Sequence, residues 1–169
     1  MVKLSVLDQS PIREDGDARQ ALEETIALAQ AAERLGYTRY WLAEHHGTAG
    51  FAGSSPEIMV TRVAAATKHI RVGSGGVMLS HYSPLKVAEN FKLLENLYPG
   101  RIDLGIGRAP GSDGATAAAL AYGSEVGIEY FPTKIADMMA FLADEPPATK
   151  PFKDVRATPA VAEAPEVWL

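Results

Sequence analysis

The chain has 169 residues, 47% hydrophobic and 22% charged, enough to bury a core and in keeping with one domain spanning 1–169. Its net charge of −5 gives no reason to expect nucleic acid or an anionic membrane as partner, and the lack of cysteine excludes disulfides, thiolate metal sites and a cysteine nucleophile. No apolar stretch approaches the ~20 residues that cross a bilayer, and Met1-Val2-Lys3-Leu4 does not open a signal segment, so the cytoplasm is the expected location.

Leu4 to Leu7 reads as a first strand, buried on both faces and stopped by Asp8-Gln9-Ser10-Pro11. Asp17 is placed to cap a helix whose apolar stripe runs through Leu22, Ile26, Ala29 and Leu35, with Gly36 just past its end. Thr38 to Leu42 forms a second strand, rich in aromatic and branched residues. A glycine-rich loop, Glu44 to Ser55, leads to a helix start at Ser55-Pro56 and a helix through Ile58, Val63 and Ala66.

The third strand begins at Ile70 and continues through Gly73-Ser74-Gly75-Gly76 to Leu79. Ser83-Pro84 repeats the helix-start signal, and Leu85, Val87, Ala88, Phe91, Leu94 and Leu97 supply the apolar face. After the Pro99-Gly100 turn, Arg101 to Gly107 forms a fourth strand with Ile102, Leu104 and Ile106 on one face. Gly114 to Gly127 carries conflicting signals, alanine for helix and glycine against it. Phe131-Pro132 leads into a helix through Ile135, Met138, Met139 and Leu142, ended by Pro146-Pro147. Glu166 to Leu169 opens a fifth strand.

Strand and helix alternate, which builds a parallel sheet through crossover connections. Four or five such units fit either a doubly wound sheet or part of an eight-unit barrel. A full barrel needs about 250 residues, so the arithmetic points to a fragment or a shortened relative.

In a parallel sheet the strand ends converge on one crevice, where ligands bind. The first end brings Asp8, Gln9 and Ser10. The second brings Glu44, His45 and His46, the third Ser74, Gly75 and Gly76, and the fourth Gly107 and Arg108. Adjacent histidines diverge along an extended chain, so one can face the crevice while the other packs behind it. Two neighbouring histidines alone make a weak metal site, and Glu44-His45-His46 lacks the i,i+4 histidine spacing of helical zinc motifs. Ligand contact, proton transfer and plain loop polarity stay open for the pair. The glycine run fits a strand-end bulge, or a floor on which a flat ring stacks. Arg108 fits a surface salt bridge or a bidentate anion contact. Asp103 reads as a salt-bridge partner or a helix cap, and Trp41, Met78, Met138 and Met139 as core.

Taken together, the blocks Leu7–Pro11, Tyr40–Gly47 (YWLAEHHG), Arg71–Leu79 (RVGSGGVML), His81–Asn90 (HYSPLKVAEN) and Pro99–Gly111 (PGRIDLGIGRAPG) resemble the bacterial luciferase-like flavin monooxygenases. The likeness extends over essentially the whole chain. It implies a TIM (β/α)8 barrel, of which the first four β/α units and the start of strand five are present. It also implies FMN, or the deazaflavin F420, at the C-terminal face of the strands. The implied reaction uses reduced flavin and O2 to oxidise a small organic substrate such as an aldehyde, with the flavin reduced by a separate reductase. The alternatives are F420-dependent hydride transfer, or a shortened relative that binds flavin without catalysis. By resemblance the active-site histidine falls on His45, with Glu44 as its catalytic companion. The flavin support falls on Ser74, Gly75 and Gly76, a place that often carries a non-proline cis peptide. Arg108 would hold the flavin phosphate or orient its neighbourhood, and Gly107, also among the implied cofactor-binding residues, stands where luciferase carries a reactive cysteine. Asp8, Gln9 and His46 would border substrate or support the site. A half-barrel implies either a homo-oligomer or a C-terminal half to cover it.

Overall fold

The computed structural model describes residues 2–109, 111–122 and 127–169. Its elements are β1 (Ser5–Asp8), α1 (Ala18–Arg34), β2 (Arg39–Leu42), α2 (Pro56–Ala66), β3 (Arg71–Met78), α3 (Pro84–Leu97), β4 (Ile102–Gly107), α4 (Gly114–Ala121), α5 (Phe131–Leu142) and β5 (Glu166–Trp168). All four strand pairings are parallel, and the order β1-β2-β3-β4-β5 follows the sequence. Among the described residues no helix is long and apolar enough to cross a membrane.

The helix starts follow the local chemistry. Asp17 accepts from the Gln20 amide at 2.8 Å, and Ser83 accepts from Lys86 at 3.5 Å, each relieving an amide that the helix leaves unpaired. Asp113 caps α4 by accepting from Ala115 and Thr116, both at 2.9 Å. That cap settles the ambiguous alanine stretch as helix as far as Ala121; residues 123–126 lie outside the described residues.

Strand alternation splits the sheet into two faces. Tyr40, Leu42, Val72, Ile102 and Leu104 face the helices and bury completely or nearly so against Val60, Val63, Phe91 and Met138. Leu7, Trp41, Gly73 and Asp103 follow one another across the ladder on the opposite, concave face. Among the described residues no helix covers that face, which explains two departures from the sequence reading. Leu7 is 56% exposed rather than buried on both sides. Trp41 is half-buried, with its indole N–H donating to Asp103 at 2.9 Å, rather than core.

Helix faces depart in a similar way. The buried stripe of α1 is Ala21, Thr25, Ala29 and Ala32, so the helix docks through small residues. Leu22 and Ile26 are only partly buried, and Leu35 lies in the exposed cap. Ile58, Leu97 and Met139 are exposed on the outer sides of α2, α3 and α5, because the sheet, or for α5 chiefly α3, takes only the inner side of each.

Strands β3 and β4 fit together without room for side chains. A Cβ on Gly105 would lie 2.1 Å from the Ser74 carbonyl oxygen, and one on Gly73 would lie 2.4 Å from that of Asp103. One on Gly76 would lie 2.7 Å from the Ile106 carbonyl carbon. The pairing register shifts between Ser74 and Val77, and the Gly75–Gly76 peptide is cis. At Gly105, what packs against the fourth strand is the backbone of β3.

Candidate active site

The loop after β2 is pinned before it presents any side chain. The Ala43 amide donates to the Asp8 carbonyl at 2.9 Å, and the His45 amide to Gly53 at 2.9 Å. Ile12 donates to Gly50 and Ala52 to Ser10, both at 2.9 Å, so the loop zips onto the segment after β1. Phe51 thereby comes under His45, with ring centroids 4.8 Å apart and planes 33° apart.

His45 faces a groove of about 250 Å³ at the C-terminal strand ends. Gln9, Gly75, Gly76, Met78 and Gly107 border it with Leu7. Its floor, at Gly75, Gly76 and Gly107, has no side chains. The Nδ1 atom of His45 is buried and has no hydrogen-bond partner among the described residues. A buried nitrogen without a partner is costly unless a ligand supplies one.

His46 turns away from the groove. Its Nε2 lies 2.8 Å from Glu44 Oε1, and the Tyr82 hydroxyl donates to that same oxygen at 2.5 Å. The Met78 amide donates to Glu44 Oε2 at 2.9 Å. The Glu44 side chain is 1% exposed, so its carboxylate acts as a buried hub joining β2, β3 and the segment before α3. Burial, and then the hydrogen bond to Glu44, push the Tyr82 phenol well above its ordinary range, keeping it a donor. Beyond Tyr82 a second cavity, about 210 Å³, is bordered by Glu57, Lys86 and Asn90. Burial also raises Glu57, with the nearby Glu44 charge adding to the effect.

The remaining residues singled out in the sequence take distinct places. Gly75, Gly76, Gly107 and Gln9 border the groove, as does Glu44, whose carboxylate points elsewhere. Ser74 is fully buried and its hydroxyl donates to the Gly105 carbonyl at 2.8 Å, which joins β3 to β4 at the register shift. Asp8 is buried too, accepting from the Tyr40 hydroxyl at 2.6 Å and the Ser10 amide at 2.9 Å. That second bond shapes the turn at Ser10, which has φ 50°, and so directs Gln9 to the groove. Arg108 is exposed at the end of β4, next to the groove-bordering Gly107 and Ala109.

Sequence reasoning missed Tyr82 and Phe51. A tyrosine between a strand end and a helix cap carries no chemical signal alone, and its link to Glu44 spans 38 positions. Phe51 could be inferred only from the loop's fold back onto Ser10 to Ile12.

Residues 2–123 match the family model described as luciferase-like monooxygenase, and the chain belongs to that family. It is 52% identical to the protein YwcH of Bacillus subtilis strain 168 over all of this chain and 51% of that protein. It is 45% identical to the N-acetyl-S-alkylcysteine monooxygenase of the same organism, again over all of this chain and 51% of the relative. The crystal structure of apo-MsnO8 superposes with a TM-score of 0.90 at 45% identity, covering all of this chain and 49% of that one. The chain thus spans about half the length of these relatives. Its fold is a partial parallel β/α barrel of the luciferase-like type.

Proposed function

We propose that this chain forms the flavin-facing part of an FMN-dependent monooxygenase that oxidises a small organic substrate, an aldehyde or a thioether. The observation that carries the reading is the groove itself: glycine backbone at the strand ends beside His45, whose buried Nδ1 has no partner among the described residues, in a chain of this family. Reduced FMN, when bound, supplies the activation of O2. Gly107, where an added Cβ would meet only ordinary van der Waals contacts, and the bare backbone of Gly76 would lie along a planar ring, with the Leu7 side chain against Gly75. Leu7 and Met78 would flank it with apolar side chains. His45, braced by Phe51, would present its imidazole to the substrate or the ring's polar edge, and could hold or pass a proton there. Arg108, at the rim, is the basic group placed to reach a phosphate. The thioether option comes from the name of the N-acetyl-S-alkylcysteine monooxygenase. A separate reductase as the source of reduced flavin, and self-association, belong to the same proposal.

The test supplies purified chain with FMN, a reductant and labelled dioxygen, beside an aldehyde and an S-alkylcysteine derivative. Product carrying one labelled oxygen, above the level given by free flavin, is the expected result. No labelled product, with flavin reoxidation unaltered by saturating protein, would overturn the reading. A parallel titration separates the cofactors: tighter binding of F420 than of FMN would replace monooxygenation with hydride transfer.

A further inference from the structure

We propose that Tyr82 is a positioning residue that sets the protonation behaviour of His46 through the shared carboxylate of Glu44. Glu44 Oε2 is taken by the Met78 amide, which leaves Oε1 for two partners. One is the Tyr82 hydroxyl at 2.5 Å, the other His46 Nε2 at 2.8 Å. Tyr82 has a single hydroxyl hydrogen, and its oxygen lies 3.3 Å from His46 Nε2. The shorter contact claims that hydrogen for Glu44. His46 Nε2 must then bring its own hydrogen to a carboxylate that has none to give. The cluster therefore fixes His46 as the Nε2–H tautomer.

The phenol has a second effect. A donor on Oε1 disperses charge that would otherwise fall on the imidazole. Removing the donor concentrates the charge toward His46 and favours its protonated form. Tyr82 and Glu44 thus act on His46 in opposite directions: the carboxylate stabilises imidazolium and the phenol tempers it. Other ionisable groups near the cluster are His45 on the same loop, Glu57 on α2, His81 before α3, Lys86 on α3 and Asp113 at the start of α4, which packs against Gly47. They stay constant across the variants compared, so they do not produce the ordering.

This inference rests on reading the loop of His45 and His46 as the site, but its test needs neither flavin nor turnover. Failure of the monooxygenase assay would leave it standing. The full chain, labelled with 15N-histidine, is titrated by NMR, with His46→Asn used to assign the signal among the four histidines. The expected midpoints fall in the order Tyr82→Phe above wild type above Glu44→Gln, with Tyr82→Phe higher by at least ~0.5 pH units. Phenylalanine keeps the ring, so a packing role alone would move nothing. A midpoint within about 0.2 units of wild type, or a lower one, overturns the proposal. So does an Nδ1–H signal in the neutral wild-type protein. Should Tyr82→Phe not fold, wild-type sequence made with 3-fluorotyrosine supplies a stronger phenol donor. The His46 midpoint must then fall, and an unchanged one overturns the proposal.

Discussion

His45 and His46 are chain neighbours with opposite surroundings. One rests on Phe51 with a buried nitrogen that has no partner among the described residues, and the other is held by Glu44. Substitutions should separate them. His45→Asn keeps a polar group near the groove but loses the ring on Phe51, so turnover should drop ~10²-fold or more while the unfolding midpoint moves little. Steady-state rates beside thermal melts decide this. Arg108→Ala should weaken FMN binding ~5- to 20-fold and leave riboflavin, which lacks the phosphate, unchanged. Fluorescence titration of the two flavins makes the comparison; equal losses would remove the phosphate role. The strand-end placement of His45, Gly75, Gly76 and Gln9 was legible, because a strand followed by polar or glycine residues shows its end. The inward turn of the Glu44 carboxylate was not. It depends on a phenol and an amide brought in by β3 and the segment after it.

At the scale of elements, cap and turn chemistry carried the sequence reading well. Asp17, Ser83 and Gly36, which has φ 79°, lie where their side chains or backbone require. Burial was less legible, since periodicity finds an apolar face without saying whether anything covers it; Ile58 and Leu97 show the gap. The β3–β4 fit predicts that Gly105→Ala, whose Cβ would meet the Ser74 carbonyl at 2.1 Å, costs about 3 kcal/mol in urea unfolding. A loss under about 0.5 kcal/mol would mean the strands part freely. A second clasp joins α1 to the start of β3. Glu33 accepts from the amides of Lys68, His69 and Ile70 at 2.8, 2.6 and 3.0 Å. Desolvation pushes its carboxyl upward, but these amides outweigh it and hold it below the ordinary carboxylate range. A lowered folded value means that the stabilisation is complete above the unfolded carboxylate's pKa and fades as pH falls through the folded one. Glu33→Gln should therefore be less stable by about 1 kcal/mol at neutral pH, with the gap closing on acidification. Paired denaturant curves at several pH values check the sign.

Across the whole molecule, charge ties together what apolar packing leaves open. On the concave face Asp103, fully buried, accepts from Arg39 at 3.0 Å, from Arg71 at 2.6 Å and from Trp41 at 2.9 Å. Glu166 extends the cluster to β5 through Arg39 at 2.8 Å, so four strands share one network. Asp103→Asn leaves two guanidiniums without their main counter-charge and should cost about 2–4 kcal/mol, read from chemical unfolding. The odd place of Asp103 in an apolar strand allowed a salt bridge or a helix cap, and the structure gives the first; the number of its partners was not legible, because they come from β2 and β3. The glycine interlock of β3 and β4 has a consequence for mutagenesis. Gly76 borders the groove and also lies against β4, whereas Gly105 meets only the backbone of β3 at its closest approach. A saturation screen scored on product alone would rank both beside His45 as equally intolerant. Scored for abundance as well, Gly105 variants would vanish from the cell while His45 variants persisted, and the double readout would divide architecture from chemistry.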